Sequence, residues 1–125
     1  VALQQTINLQ NVTLRFVAGN DRAALSYAPE DAVAVVLYIN VALNPVSLQQ
    51  SESWTRDLVD LALQQRGRYY LAYQRWPTIE QFRRGYPGVD DFLKTKAEFD
   101  PNGRFTNQFH THYFATPGTT AAPPH

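Results

Sequence analysis

Two apolar stretches near the start of the chain limit its fold more than any other feature of the sequence. From Thr6 to Val17 polar and apolar residues alternate, the period-2 pattern of a half-buried strand. Ile7 and Leu9 begin one apolar face. Val12, Leu14 and Phe16 continue it after a one-residue slip at Gln10 and Asn11, which predicts a β-bulge. Arg15 falls on the opposite face with Thr13 and Val17. The residues Gly19, Asn20 and Asp21 then form a turn. After it, Ala32 to Val41 make a nearly continuous β-branched run that reads as a strand covered on both faces. Asn44 and Pro45 end that run.

The rest of the chain changes period. From Ser51 to Gln65 the apolar positions Trp54, Leu58, Leu61 and Ala62 recur at helical spacing, and Gly67 stands where a C-terminal cap is expected. Arg68-Tyr-Tyr-Leu-Ala-Tyr73 reads as a short strand. Thr78 and Gln81 form a capping-box pair that opens a helical turn through Arg84, and Tyr86-Pro87-Gly88 interrupts it. Asp90 caps a further helix that carries Phe92, Leu93, Ala97 and Phe99. Asp100-Pro-Asn-Gly103 is a turn. The order β-β-α-β-α-α predicts an α+β fold, an antiparallel sheet covered by helices, over residues 1–114. The Pro/Thr/Ala-rich segment 115–125 is expected to be a disordered tail.

Composition closes off several function classes. At 125 residues the chain has room for one ordinary domain. It has no cysteine, so a disulfide framework, a thiolate metal site and a cysteine nucleophile are excluded. No apolar run is long enough to span a bilayer, and no secretory signal is recognisable in this stretch. Eleven basic residues balance eleven acidic ones, which removes the general attraction that nucleic-acid binders exploit. The chain lacks Met and starts at Val1, directly in an alternating run. It therefore reads as a piece of a longer protein.

Few residues stand out as chemistry. Residues 66–104 hold eight basic side chains against five acidic ones, either an anion-facing surface or a solvated helix face. His110 and His112 on a strand have metal-ligand spacing, but no third ligand sits nearby and Phe109, Tyr113 and Phe114 indicate packing, so no metal is expected. Asp90 and Asp91 suit a helix N-terminus. Arg15, within an apolar strand, either reaches solvent or meets an anion in a pocket. Tyr69, Tyr70 and Tyr73 are either strand packing or the lining of an aromatic pocket. No phosphate loop, Ser-His-Asp grouping or HExxH motif is present.

One combination is more specific. Tyr70-Leu-Ala-Tyr73 precedes the Tyr86-Pro-Gly segment and the helix bearing Lys94 and Lys96. Phe99-Asp-Pro-Asn-Gly-Arg-Phe-Thr-Asn107 follows. Together they resemble the C-terminal end of FAD-linked oxidases of the vanillyl-alcohol oxidase superfamily, which includes sugar-lactone, alditol and cytokinin oxidases. The likeness covers about residues 11 to 114.

That resemblance implies part of a substrate-cap domain, with FAD held mainly by an N-terminal flavin domain or subunit outside this chain. It assigns catalytic roles to Arg15, Tyr70 and Tyr73, and flavin-edge positions to Asn107 and Gln108. Lactone and alditol oxidases have a Glu where Thr13 stands, and a His and a Lys where Tyr70 and Tyr73 stand. The Tyr-Leu-x-Tyr version is nearer the cytokinin-oxidising branch. The implied reaction moves a hydride from an alcohol, sugar or amine carbon of a small-molecule substrate to flavin N5. Negative charge then develops near N1 and O2, where a fixed donor stabilises it. The chain alone is expected to be inactive. The rival reading is a stand-alone α+β binding module that forms a homo-oligomer through an exposed sheet face. A part of a larger enzyme should leave sheet edges unpaired and Arg15, Tyr70 and Tyr73 exposed, whereas a self-sufficient module should bury its sheet.

Overall fold

The computed structural model describes residues 7–114. The expected disorder of 115–125, the strand residue Thr6 and the terminal His125 lie outside those residues. The elements run β1 (Leu9–Val17), β2 (Ala32–Ile39), α1 (Pro45–Gln64), α2 (Ile79–Gly85), α3 (Val89–Phe99) and α4 (Gln108–Phe114). The fold is a small α+β domain with a two-stranded antiparallel sheet.

The strands pair from Leu9 with Ile39 to Val17 with Ala32, and the register shifts between Leu9 and Asn11. That shift is the bulge expected from the phase slip at Gln10 and Asn11. Directly opposed residues share a face. Val12, Leu14 and Phe16 therefore align with Leu37, Val35 and Val33. This face is open: Leu14 is 68% exposed and Phe16 94%. The expectation that β2 is covered on both faces is thus corrected. Its continuous apolar run reflects β-branched residues on both sides of a two-stranded ribbon, with Val33 and Val35 exposed.

The loop between the strands reaches the helices. Its base is pinned where the Gly19 N–H donates to an Asp31 carboxylate oxygen at 2.7 Å and the Asn20 N–H to the Ala28 carbonyl at 2.8 Å. A Cβ at Gly19 would lie 2.7 Å from the Glu30 backbone, so only glycine permits this approach. Farther along, Leu25 packs on the helical core, and the Ser26 carbonyl accepts from the Arg68 guanidinium at 2.7 Å.

Helix α1 starts earlier than its apolar spacing indicates. The Asn44 side chain accepts from the Ser47 N–H at 2.9 Å, and Pro45 occupies the first helical position. Asn-Pro is thus a helix start, and not the end of the strand run as expected, since β2 has already ended at Ile39. Trp54 and Val59 are its buried residues, whereas Leu61 is exposed. At the C-terminus the Gly67 N–H bonds the Ala62 carbonyl at 2.7 Å and the Arg66 N–H bonds the Leu63 carbonyl at 3.1 Å. This pair of bonds is a Schellman motif, and Arg66, not Gly67, takes the left-handed conformation with φ of 59°.

The expected strand at Arg68–Tyr73 is absent. Residues 67–70 have no regular structure and 71–73 turn. Aromatic residues favour a strand only where a neighbouring strand completes the ladder, and β1 and β2 pair with each other. The Thr78–Gln81 capping box forms as expected. Gly88, rather than Asp90, is the N-cap of α3, which leaves Asp90 and Asp91 in its first turn. Helix α4 replaces the strand setting considered for His110 and His112.

The core is aromatic. Phe82, Tyr86, Val89 and Tyr113 are buried, with Leu25, Tyr69, Leu71, Phe109 and Phe114 packed around them. Phe82 lies at the centre, its ring 4.7 Å from that of Tyr113 and 5.5 Å from those of Tyr86 and Phe109. Such tilted and edge-on pairs add to area burial. Among the described residues no helix is long and apolar enough to cross a membrane.

Candidate functional site

Three connecting segments meet beside this core and leave a groove of about 610 Å³ between them. The loop before β2 supplies Leu25 and Tyr27. The turn after α1 supplies Tyr70, Leu71, Ala72, Tyr73 and Arg75, and the start of α4 supplies Asn107, Gln108 and Phe109. Leu71 and Phe109 face the core as well, so the groove floor is anchored to packed side chains.

The turn at 71–73 folds Tyr73 back toward Tyr70, with ring centroids 5.1 Å apart. Tyr27 continues the row, its ring 5.1 Å from that of Tyr70 and nearly perpendicular to it. The rings are partly open to solvent, Tyr70 at 49% and Tyr73 at 75% exposure. Arg75 crosses to the third segment, donating from Nη1 to the Gln108 carbonyl at 3.3 Å.

Asp100 sets the position of the α4 start. Its carboxylate accepts from Lys96 Nζ at 2.6 Å, from the Arg104 N–H at 2.7 Å and from the Phe105 N–H at 2.9 Å. The hydrogen bond from Lys96 is the largest cause that holds this carboxyl below its ordinary range; burial opposes it, and the two backbone N–H groups and the Lys96 charge add to the lowering. The reversal requires Gly103 at φ of 62°, and its N–H donates to the Asp100 carbonyl at 3.0 Å. Asn107 then caps α4, its Oδ1 accepting from the His110 N–H at 2.8 Å. The Asp100–Asn107 motif is thus a carboxylate-centred turn followed by a cap. Its Asn side chain spends its oxygen on the backbone and retains its amide N–H donors.

Four of the five residues singled out from the sequence, Tyr70, Tyr73, Asn107 and Gln108, line this one groove. Arg15 does not. It is exposed on β1, opposite Ala34 and on the face away from Leu14. Tyr69 parts from its neighbours and enters the core, where its backbone carbonyl accepts from the Tyr86 hydroxyl. Burial first, then the neighbouring Tyr113 and Tyr86, push the Tyr69 phenol well above its usual range, and burial does the same for Tyr86. Neither is a proton donor or acceptor near neutral pH.

Tyr27 and Arg75 complete the groove, and sequence reasoning did not single out either as a site residue. Tyr27 lies in an irregular loop whose return path no periodicity reveals. Arg75 was one of eight basic residues in its segment. Half of those are ion-paired: Arg83 with Asp90, Arg84 with Asp60, Lys94 with Asp91 and Lys96 with Asp100. His110 and His112, two apart on a helix, are separated by about 200° around its axis. Among the described residues no group of three or more His, Asp or Glu side chains is placed to hold a metal ion.

A family model described as D-arabinono-1,4-lactone oxidase matches residues 9–113. The chain belongs to this family. It is the C-terminal domain family of FAD-linked oxidases of the vanillyl-alcohol oxidase type. Neither a curated protein nor a solved structure matches the chain. In this lactone-oxidase-family domain, the aromatic row and the amide donors at the α4 start suit the edge of a flat polar ring such as a flavin. No glycine-rich phosphate-binding loop stands with them in the sequence.

Proposed function

We propose that this chain is the C-terminal, cap-completing part of an FAD-dependent oxidoreductase that oxidises an alcohol, sugar or amine carbon, and that it is inactive without an N-terminal FAD-binding domain or subunit. The observation that carries the reading is the convergence of Tyr70, Tyr73, Asn107 and Gln108 on one groove within a domain of this family. Bound FAD supplies the hydride acceptor. Tyr70 and Tyr73 orient a substrate hydroxyl or amine by hydrogen bonding. The Asn107 and Gln108 amides donate toward the flavin edge, where negative charge develops. Arg15 offers a cation to an anionic substrate group once further strands or a partner domain bring the sheet to the site.

Exposure of the Val12, Leu14, Phe16, Val33 and Val35 face supports a partner surface, as do the open outer edges of the two-stranded sheet. That same face favours a second reading, a module that dimerises without catalysis. Co-expression with the upstream portion of the parent gene separates them. A copurifying complex with a flavin absorption spectrum is expected. A colourless complex, or a flavin-free homodimer alone, would overturn the flavoenzyme reading. In the reconstituted enzyme Arg15→Ala should raise KM or lower kcat, and unchanged kinetics would remove Arg15 from the site.

A further inference from the structure

Arg75 is the single charged side chain lining the groove. Its one hydrogen bond among the described residues is to a neutral carbonyl, that of Gln108. Arg56, Arg83, Arg84, Lys94 and Lys96 each meet a carboxylate within 4 Å. Arg15, Arg22, Arg66, Arg68 and Arg104 share with Arg75 the lack of one among the described residues; of these only Arg75 lines the groove. A guanidinium has five N–H donors in a planar fork, so four remain available here. That fork matches the two oxygens of a carboxylate better than any other side chain does.

The wall beside it is the row Tyr27–Tyr70–Tyr73, whose hydroxyls have no hydrogen-bond partner among the described residues. A groove of about 610 Å³ lies within the range of small-molecule clefts. An uncompensated cation in a groove that an aromatic row also lines gives this site two demands on its ligand: a negative charge and a flat or apolar body.

We infer that Arg75 determines the ligand class of this groove, selecting a small carboxylate whose charged end meets the guanidinium and whose body lies along Tyr27, Tyr70 and Tyr73. The inference rests on the groove being the ligand site proposed above, and it names the chemistry of what that site accepts. Arg75 acts in binding; no bond is made or broken through it.

The test needs neither flavin nor turnover. The 125-residue chain is titrated with benzoate and, separately, with benzamide, its uncharged isostere, while tyrosine ring resonances are followed by NMR. Benzoate is expected to bind at least fivefold more tightly, and 0.5 M NaCl should reduce that preference. Arg75→Gln should abolish the preference, and Arg75→Lys should keep part of it. Arg75 is exposed and makes one long hydrogen bond, so both variants are expected to keep the wild-type amide spectrum. Equal binding of the two probes, or a preference that survives Arg75→Gln, overturns the role of Arg75 but leaves the groove a ligand site. Tyrosine resonances that neither probe shifts overturn the groove itself, whereas the flavin reading stands or falls on the absorption spectrum of the co-expressed complex.

Discussion

The hydroxyl of Tyr113 donates to the carbonyl of Pro77 at 2.9 Å, joining α4 to the start of α2 across 36 residues. The Tyr113 side chain is buried, and its ring stacks against Phe82. This bond helps hold α4, and with it Asn107 and Gln108, against the helical core. Tyr113→Phe keeps the packing but leaves the Pro77 carbonyl without its partner. The expected loss is about 1–3 kcal/mol, read from the urea midpoint at unchanged slope. An unchanged midpoint would mean that water replaces the hydroxyl.

A second long-range tie makes an unusual demand on a capping box. The Gln81 carboxamide accepts from the Thr78 N–H at 3.0 Å through its oxygen and donates to the Arg56 carbonyl at 2.9 Å through its nitrogen. Glutamate is ordinarily as good as glutamine at this helix position. Here Gln81→Glu would preserve the cap but turn a buried donor into a carboxylate oxygen facing a carbonyl. A loss of about 1–3 kcal/mol is expected in chemical denaturation at pH 7. Acidification should recover part of it, because the protonated acid again offers a donor.

These two contacts show where sequence reading succeeds and where it stops. The Thr78–Gln81 box is a local pattern, three residues apart, and so it is visible. The donor that Gln81 sends to Arg56 crosses 25 residues and leaves no local trace. Likewise the β1 bulge was legible from a phase slip, because side-chain alternation is strictly local. Arg68–Tyr73 has strand composition but no neighbouring strand to pair with, a fact that only the tertiary structure supplies. Asn44-Pro45 suits the end of a strand and the start of a helix equally; here it starts α1, and β2 ends earlier, at Ile39. Helix α4 had one local sign, Asn107 placed three residues before His110 as a cap, within an aromatic run that equally suits a strand. Tyr70, Tyr73, Asn107 and Gln108 were found through motif resemblance, whereas Tyr27 and Arg75 enter the groove through chain reversals that no spacing encodes.

The end of α1 offers a stabilising change. Arg66 holds the left-handed conformation that a side chain disfavours by roughly 1–2 kcal/mol, part of which the Schellman bonds offset. Arg66 is exposed and has no ion-pair partner among the described residues. Arg66→Gly should therefore stabilise the domain by about 0.5–1 kcal/mol, after allowing for the greater freedom of glycine in the unfolded chain. Thermal unfolding monitored by far-UV circular dichroism measures the gain. A fall in midpoint would show that the unfolded-state cost exceeds the relief of strain.

The turn that positions the groove should also be its acid-sensitive element. Asp100 gathers Lys96 and the N–H groups of Arg104 and Phe105 around one carboxylate, and these bonds lower its pKa in the folded state. Unfolded aspartate titrates near about 3.9. Below that value the unfolded chain takes up the proton first, so the stability from Asp100 is complete above about pH 4 and is lost as the pH falls through the lower folded-state value. Asp100→Asn should lower the unfolding midpoint at pH 7, and the gap to wild type should narrow as both proteins are taken toward pH 2.5. Lys96→Met removes the hydrogen bond that does most to lower this pKa and should move the acid transition to higher pH. Because Asp100 fixes the path to Asn107, either change should also broaden the resonances of Tyr73 and Gln108 before the domain unfolds. A gap that stays constant with pH would show that the turn is held by backbone geometry and not by the ionised carboxylate.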